Sequence, residues 1–394
     1  MASEPMLSVE DAEKTIAAFA VTVRTETVPL APAHDRFLAQ DIRSPIPLPE
    51  FDKSAMDGYA YSSQDAAPTF KVVEVIAAGT PPRQAITPGH CARIMTGAML
   101  PAGADRVIKR ECTEEANGFM RIVAQDPNHN IRFRGEDLQA GQLVLTGGTR
   151  LRAAQIALLA SLGLAEVPVA KPPRVGILTT GSELVPPGSP LAPGMIYDSN
   201  SHSLAAQLRE TGATPLLLGG IADNAGATVQ AIASGLEKCD VLILSGGVSA
   251  GDFDFVPAAM KQAGFTLHFE KIAVQPGMPT VFGSRGEKAA FGLPGNPVST
   301  FVIFEVFIKP LLLRQLGHEH QPPLQPAVLA AAFHRSRAER TVFLPAFARE
   351  GRAELVSYHG SAHLHALSRA NALLRVEAGC SDIPAGSTVH VRFL

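Results

Sequence analysis

Two glycine-rich corners in the second half of the chain carry the residue types that hold an anion: Thr179-Thr180-Gly181-Ser182-Glu183 and Ser245-Gly246-Gly247-Val248-Ser249-Ala250-Gly251. Each directly follows an apolar run of strand character. Glycine lets backbone N–H groups approach a phosphate closely, and the hydroxyls of Thr180, Ser182, Ser245 and Ser249 add donors. A lone corner of this kind also serves as a plain strand-to-helix turn. Two of them, both rich in hydroxyls, point to a nucleotide-like or pterin phosphate ligand. Acids stand beside both: Glu183 closes the first corner, Asp252 and Asp254 follow the second, and Asp223 sits at a predicted helix start. Carboxylates beside a phosphate repel it unless a hard cation lies between them, so Mg²⁺ is the expected cofactor. Taken singly, Asp223 reads first as a helix N-cap, and a surface carboxylate explains Glu183 nearly as well as a ligand does.

Two more loops are dense in polar and turn-forming residues. Phe51-Asp52-Lys53-Ser54-Ala55-Met56-Asp57-Gly58-Tyr59 gathers two acids, a lysine and a serine, and Phe291-Gly292-Leu293-Pro294-Gly295-Asn296-Pro297-Val298-Ser299 sets two prolines between a strand and a helix. By spacing alone the first is an Asp-Gly turn and the second a rigid helix entry. The histidines show no ligand pattern: His363 and His365 fall on one side of a predicted strand.

The elements that must position these residues follow from periodicity. From residue 174 onward, apolar runs at 174–179, 215–218, 241–244, 266–274 and 289–292 alternate with helical patterns at 199–210, 224–236, 253–262 and 297–316. That order predicts a doubly wound parallel sheet, with ligands beyond the carboxyl ends of its strands. Before it, residues 8–19 read as a short helix capped by Ser8, with Asp11 completing a capping box. Residues 59–144 alternate like a β-rich insert, and 152–162 are helical. Proline-rich stretches at 168–173 and 321–326 read as linkers, and the last seventy or so residues as a small β domain. The fold class expected is α/β plus β, in several domains.

Composition bounds the function. The chain has 394 residues with 34 basic and 37 acidic side chains, a formal charge of −3, which excludes a basic nucleic-acid binder. A hydrophobic share of 46% against 18% charged residues supplies packed cores. Cys91, Cys112, Cys239 and Cys380 lack metal-site spacing and read as reduced thiols, and the acidic N-terminal residues do not suit a signal peptide. The apolar run at 301–313 is broken by Glu305 and Lys309, too charged for a membrane span. A cytoplasmic location is expected.

Taken together, several motifs resemble those of the molybdenum insertase family, which comprises molybdopterin molybdenumtransferase and its counterpart, the E domain of gephyrin. They are the loop 51–60, Arg93-Ile94-Met95-Thr96-Gly97-Ala98-Met99-Leu100-Pro101, Arg134-Gly135-Glu136-Asp137, both glycine corners and Leu293-Pro294-Gly295-Asn296-Pro297-Val298. They occur in the same order over nearly the whole chain.

The resemblance implies four domains: a discontinuous linker and dimerisation domain (1–43 and 143–172), the β-rich insert (44–142), an α/β molybdopterin-binding domain (173–318) and a C-terminal β domain (319–394). It further implies an elongated homodimer with an active site between subunits. The implied reaction is Mg²⁺-dependent hydrolysis of adenylylated molybdopterin with insertion of molybdate, releasing AMP and molybdenum cofactor. Molybdopterin adenylyltransferase and molybdoenzymes are the implied partners. Motif matching gives Asp57, Thr96, Glu183, Asp223 and Asp254 as catalytic, the last three also as metal ligands. Asp254 is preferred to Asp252 because the family places its aspartate three residues beyond the glycine matching Gly251. Thr180, Gly181, Ser182, Ser245, Gly246, Gly247, Ser249, Pro294, Gly295, Asn296, Pro297, Ser299, Lys271 and Arg340 would bind substrate. Where many relatives read Lys-Pro-Gly-Lys-Pro, this chain has Gln275-Pro276-Gly277-Met278-Pro279, and His365-Ala366 replaces a serine pair, which weakens the expected molybdate site. Rival readings are a molybdopterin adenylyltransferase or a non-catalytic molybdopterin-binding scaffold.

Overall fold

The apolar run after Lys171-Pro172-Pro173 opens a six-stranded sheet in the computed structural model, which describes residues 6–221, 224–248, 255–319 and 324–394. Its strands are β1 (Arg174–Thr180), β2 (Thr214–Ile221), β3 (Val241–Ser245), β4 (Thr266–Phe269), β5 (Val281–Arg285) and β6 (Lys288–Leu293), in the spatial order β2-β1-β3-β6-β5-β4. The run β2-β1-β3-β6 is parallel throughout, and β5 lies antiparallel to both β6 and β4. Successive residues of β3 go to opposite faces, as the strand period of two requires. Val241 and Ile243 join Leu204, Leu208, Phe304 and Phe307 on one face, while Leu242 and Leu244 join Ile232, Val256 and Met260 on the other. Helices therefore cover both faces, and the doubly wound expectation holds with an antiparallel strand, β5, added near one edge.

The helical pattern at 297–316 folds as Pro297–Ile303, a π segment Phe304–Ile308, and Lys309–Gln315. A π turn shifts the backbone ladder and changes which carbonyls find intrahelical partners. Gln207, on the facing helix Asn200–Thr211, supplies a donor there: its Nε2 reaches Phe301 O at 3.3 Å and Glu305 Oε1 at 2.9 Å. Glu305 is only 3% exposed and pairs with Lys309 at 2.7 Å. The two charges that interrupt the apolar run thus neutralise each other one helical turn apart. Among the described residues no helix is long and apolar enough to cross a membrane.

Several local expectations change. Pro168 lies within the strand Glu166–Ala170, opposite Thr27 of Thr25–Pro29, in a two-stranded ribbon where a missing N–H is tolerated. Pro326 sits in the strand Leu324–Leu329, opposite His390, so this part of the predicted linker is sheet; residues 321–323 lie outside the described residues. Val274–Gln275 leaves the central sheet and pairs with Thr341–Arg349 of a six-stranded C-terminal sheet. His363 and His365 do not share a strand: His363 stands just before the short helix Leu364–Ser368 and His365 lies within it, where Ala366 and Leu367 are buried side by side, a helical rather than alternating pattern. The Ser8 Oγ accepts from Asp11 N at 3.0 Å as expected, but the Asp11 carboxylate meets the Ser8 hydroxyl at 2.9 Å instead of closing a capping box. Asn224 caps the helix Ala225–Leu236, accepting from Ala227 N at 3.1 Å; Asp223, the predicted cap, lies outside the described residues.

Backbone contacts divide the chain into two units, Met1–Ala39 with Gly147–Arg152 and Glu166–Leu394, and Gln40–Thr146 with Ala153–Ala165. The second contains its own six-stranded sheet, in the order Arg106–Lys109, Gly58–Tyr61, His90–Ile94, Phe70–Ile76, Phe119–Ile122, Thr113–Ala116. Its pairs are antiparallel except Phe70–Ile76 with His90–Ile94. Replacing Gln207 with Leu leaves the Phe301 carbonyl and a buried Glu305 oxygen without this donor, so urea unfolding should show a loss of about 1–3 kcal/mol. An unchanged midpoint would mean the π segment satisfies itself.

Candidate functional site

The sheet changes winding direction between β1 and β3: β2 lies to one side of β1, and β3 and β6 to the other. Loops leaving the carboxyl ends of β1 and β3 diverge there and leave a crevice. The structure has a cleft of about 620 Å³ at this point. The first corner contributes Thr180, Gly181 and Glu183, the second Ser245, Gly246 and Gly247, and the loop after β6 contributes Pro294, Gly295, Asn296 and Pro297. Three stretches far apart in sequence converge because their strands are neighbours in the sheet.

Close backbone packing fixes the corners against each other. Gly246 has φ +99°, and a Cβ there would stand 2.5 Å from Thr180 Oγ1 and 2.6 Å from Thr180 O, so only glycine serves. Its N–H donates to Leu293 O at 2.9 Å, tying the second corner to β6. Asn200 completes the frame: Nδ2 donates to Ser245 Oγ at 2.9 Å and to Gly295 O at 2.8 Å. Thr300 Oγ1 in turn donates to Pro294 O at 2.7 Å. Thr180 Oγ1 is buried at the meeting of the corners with no hydrogen-bond partner, a polar atom that a ligand can satisfy.

Asp198 and Asn200 line the cleft and were not singled out from sequence. Asp198 accepts from Ser201 N at 3.0 Å and from Thr179 Oγ1 at 3.3 Å, so it caps the helix and braces β1 at once. The signal was the string Asp198-Ser199-Asn200 at a helix start, which reads as capping alone until the sheet brings it beside the corners.

Other predicted residues are dispersed. Ser245 is 2% exposed and its hydroxyl is engaged by Asn200. Ser299 is buried behind the cleft wall and Lys271 is exposed, neither among the lining residues. Arg340 lines a different hollow, of about 650 Å³, together with Gln275. Ser182 lies on the first corner and is exposed. Asp223, Ser249 and Asp254 lie outside the described residues.

Asp57 and Thr96, 39 residues apart, meet in the second unit. Thr96 N donates to Asp57 Oδ1 at 2.8 Å and Thr96 Oγ1 donates to the same oxygen at 2.7 Å. Asp57 leads directly into Gly58, where a side chain would collide with the Ile108 carbonyl of the adjoining strand. The Thr96 backbone N–H, then its hydroxyl, hold the Asp57 carboxyl below the usual carboxylate range, with Arg110 and Arg93 adding to the effect. Asp57 is an exposed carboxylate that accepts rather than donates a proton at neutral pH.

The donor set suits a hard cation in part. Among the described residues no three of the His, Cys, Asp and Glu side chains cluster tightly enough to hold a metal alone. Magnesium, however, takes one or two carboxylates plus water and substrate phosphate oxygens, and the exposed Glu183 at the cleft offers such a carboxylate.

Family models match three consecutive segments: the MoeA N-terminal region (domain I and II) over residues 7–163, a probable molybdopterin binding domain over 176–314, and the MoeA C-terminal region (domain IV) over 326–394. The chain is 38% identical over 401 residues to the molybdopterin molybdenumtransferase of Bacillus subtilis, covering 98% of this chain and 93% of that protein. It is also 38% identical to molybdopterin molybdenumtransferase 2 of Mycobacterium tuberculosis, with 98% and 99% covered. The crystal structure of the molybdopterin biosynthesis moea protein from Pyrococcus horikosii superposes with a TM-score of 0.87 at 31% identity, over 99% of each chain.

Because the Asp57 pKa is depressed on folding, its stabilising contribution is complete above the ordinary carboxylate pKa and lost as pH falls through the lowered value. Thr96→Ala keeps the backbone donor and removes the hydroxyl, so a ¹³C-carboxyl NMR titration should find the Asp57 pKa moved partway back up. No movement would assign the depression to the backbone N–H and the arginines alone.

Proposed function

This chain belongs to the molybdopterin molybdenumtransferase family, and from that premise we propose how it inserts molybdenum into molybdopterin. The substrate is adenylylated molybdopterin together with molybdate; the adenylate is hydrolysed, and AMP and molybdenum cofactor are released. The observation that carries this reading is the cleft at the winding reversal, which joins three corners and leaves Thr180 Oγ1 unpartnered. Its size suits a substantial ligand rather than a single ion, since binding pockets run from roughly 300 to 1,000 Å³.

In this reading the N–H of Gly247, which unlike those of Gly181 and Gly246 is not tied to a neighbouring strand, binds the phosphates, and Thr180 supplies its free hydroxyl. Asn200 acts through Ser245 and Gly295 to keep the corners in place. Pro294 and Pro297 restrict the motion of the loop after β6 and so shape the wall against which the pterin rests. Glu183, with Asp223 and Asp254, would hold Mg²⁺, which when bound neutralises phosphate charge. Asp57, held ionised and oriented by Thr96, accepts a proton or a hydrogen bond from the attacking water. No cysteine nucleophile is needed, because the dithiolene of the substrate brings the sulfur that takes up molybdenum.

The reading includes a cytoplasmic homodimer in which one copy serves the substrate of the other; its support is family membership, together with the four cysteines being free thiols. Molybdopterin adenylyltransferase would supply the substrate and molybdoenzymes would receive the product. Gln275 and Met278, in place of lysines, make molybdate binding weaker than in lysine-bearing relatives, with Lys271, Arg340 and His365 the remaining basic side chains of that expected site.

The test is to incubate the purified protein with adenylylated molybdopterin, Mg²⁺ and molybdate, following AMP release and reconstitution of a cofactor-free molybdoenzyme. Molybdate-dependent AMP release is expected. Its absence would sink insertion by this route, and ATP-dependent adenylylation of free molybdopterin would mark an adenylyltransferase instead. Asp57→Ala and Glu183→Ala should each lower turnover by about 10²-fold or more while the protein stays folded. Mixing the two inactive variants should restore part of the activity if the site is built across a dimer.

A further inference from the structure

At the opposite end of the central sheet, beneath the amino ends of β1, β3 and β6, lies a hollow of about 310 Å³. It is one strand length from the glycine corners, about 20 Å for the seven residues of β1. Nothing in the insertion chemistry uses it. Five basic side chains line it against three acidic ones, a surplus of two positive charges. Arg24 is engaged with Asp240 at 2.7 Å and Glu287 at 3.9 Å, and Lys288 is turned onto the carbonyls of Leu236 and Cys239 at a helix end. Lys171, Arg174 and Lys238 remain, with side chains in no ion pair among the described residues, opposed only by Glu237.

The wall also holds Gln315, 9% exposed, whose Oε1 is buried without a hydrogen-bond partner. Such an atom has lost its water and is costly to bury unless something donates to it. Pro172 and Pro173 add a rigid surface to the same hollow. The charge surplus matches a phosphate monoester, which carries about −1.5 to −2 at neutral pH. The unpartnered carboxamide oxygen asks for an N–H or O–H donor on the same molecule.

We propose that this hollow is a second binding site, separate from the molybdopterin cleft, for a small phosphate monoester that also carries a hydrogen-bond donor. Lys171, Arg174 and Lys238 neutralise its phosphate, and Gln315 accepts from its donor.

Isothermal titration calorimetry of the full chain with ribose 5-phosphate, ribose and inorganic phosphate tests this. Ribose 5-phosphate should bind more tightly than either fragment. Lys238→Glu, at an exposed position that tolerates change, should weaken ribose 5-phosphate about tenfold or more, as expected for loss of a charge-assisted contact. Gln315→Met should weaken it roughly threefold or more while leaving inorganic phosphate unchanged. Absence of binding up to about 10 mM ribose 5-phosphate, weaker than any specific site of this kind, overturns the proposal. So does binding that is indifferent to Lys238→Glu, or a Gln315→Met effect equal for both phosphates.

Discussion

Asn200 stands where three separate chain segments have to agree. Its Nδ2 donates to Ser245 Oγ after β3 and to Gly295 O after β6, while its own helix starts from Asp198, which braces Thr179 on β1. A side-chain amide can join these segments because the parallel strands end at the same level, so their exits come within a hydrogen bond of one another. Gly246 adds a second constraint: its missing side chain lets the Thr180 backbone come into contact, and the two corners share one cleft. If these contacts were loosened, the two corners would lose their fixed position relative to each other and to the loop after β6, and the proposed phosphate site depends on that position.

This frame explains how a chain with a formal charge of −3 can handle anionic substrates. A basic surface field would attract anions without ordering them. Oriented backbone dipoles bind at a defined place and need no net charge. The same economy holds in the second unit, where two donors from one threonine keep the Asp57 carboxylate ionised and oriented with no buried ion pair.

The π segment at Phe304–Ile308 shows how the core accommodates function at a distance. The helix that begins at Pro297, on the cleft wall, continues through Glu305 and Lys309 into the apolar core. Gln207, on the helix that starts at Asp198-Ser199-Asn200, satisfies the altered ladder. Both helices that frame the cleft are therefore cross-linked again about two turns below it, which ties the cleft geometry to the hydrophobic core.

The doubly wound sheet, the β-rich second unit and both glycine corners were legible in the sequence, because they rest on local signals: period-two and period-3.6 patterns, and glycines that directly follow apolar runs. The family was legible too, through motifs whose order survives along the whole chain. Other features stayed hidden for a physical reason. Val274–Gln275 has strand character, but which sheet it joins depends on Thr341, 67 residues further on by number. Asp198 and Asn200 read as helix-start residues, and His363 and His365 as strand residues, until their neighbours in space were known. Sequence by itself determined the element types where the periodic pattern is strong, the chemistry available at the corners and the kinship of the chain. Tertiary structure alone decided which corners share a cleft, which acid meets which threonine, and that Arg340 and Ser299 stand away from the lining, because those outcomes depend on through-space contacts between segments that no local pattern encodes.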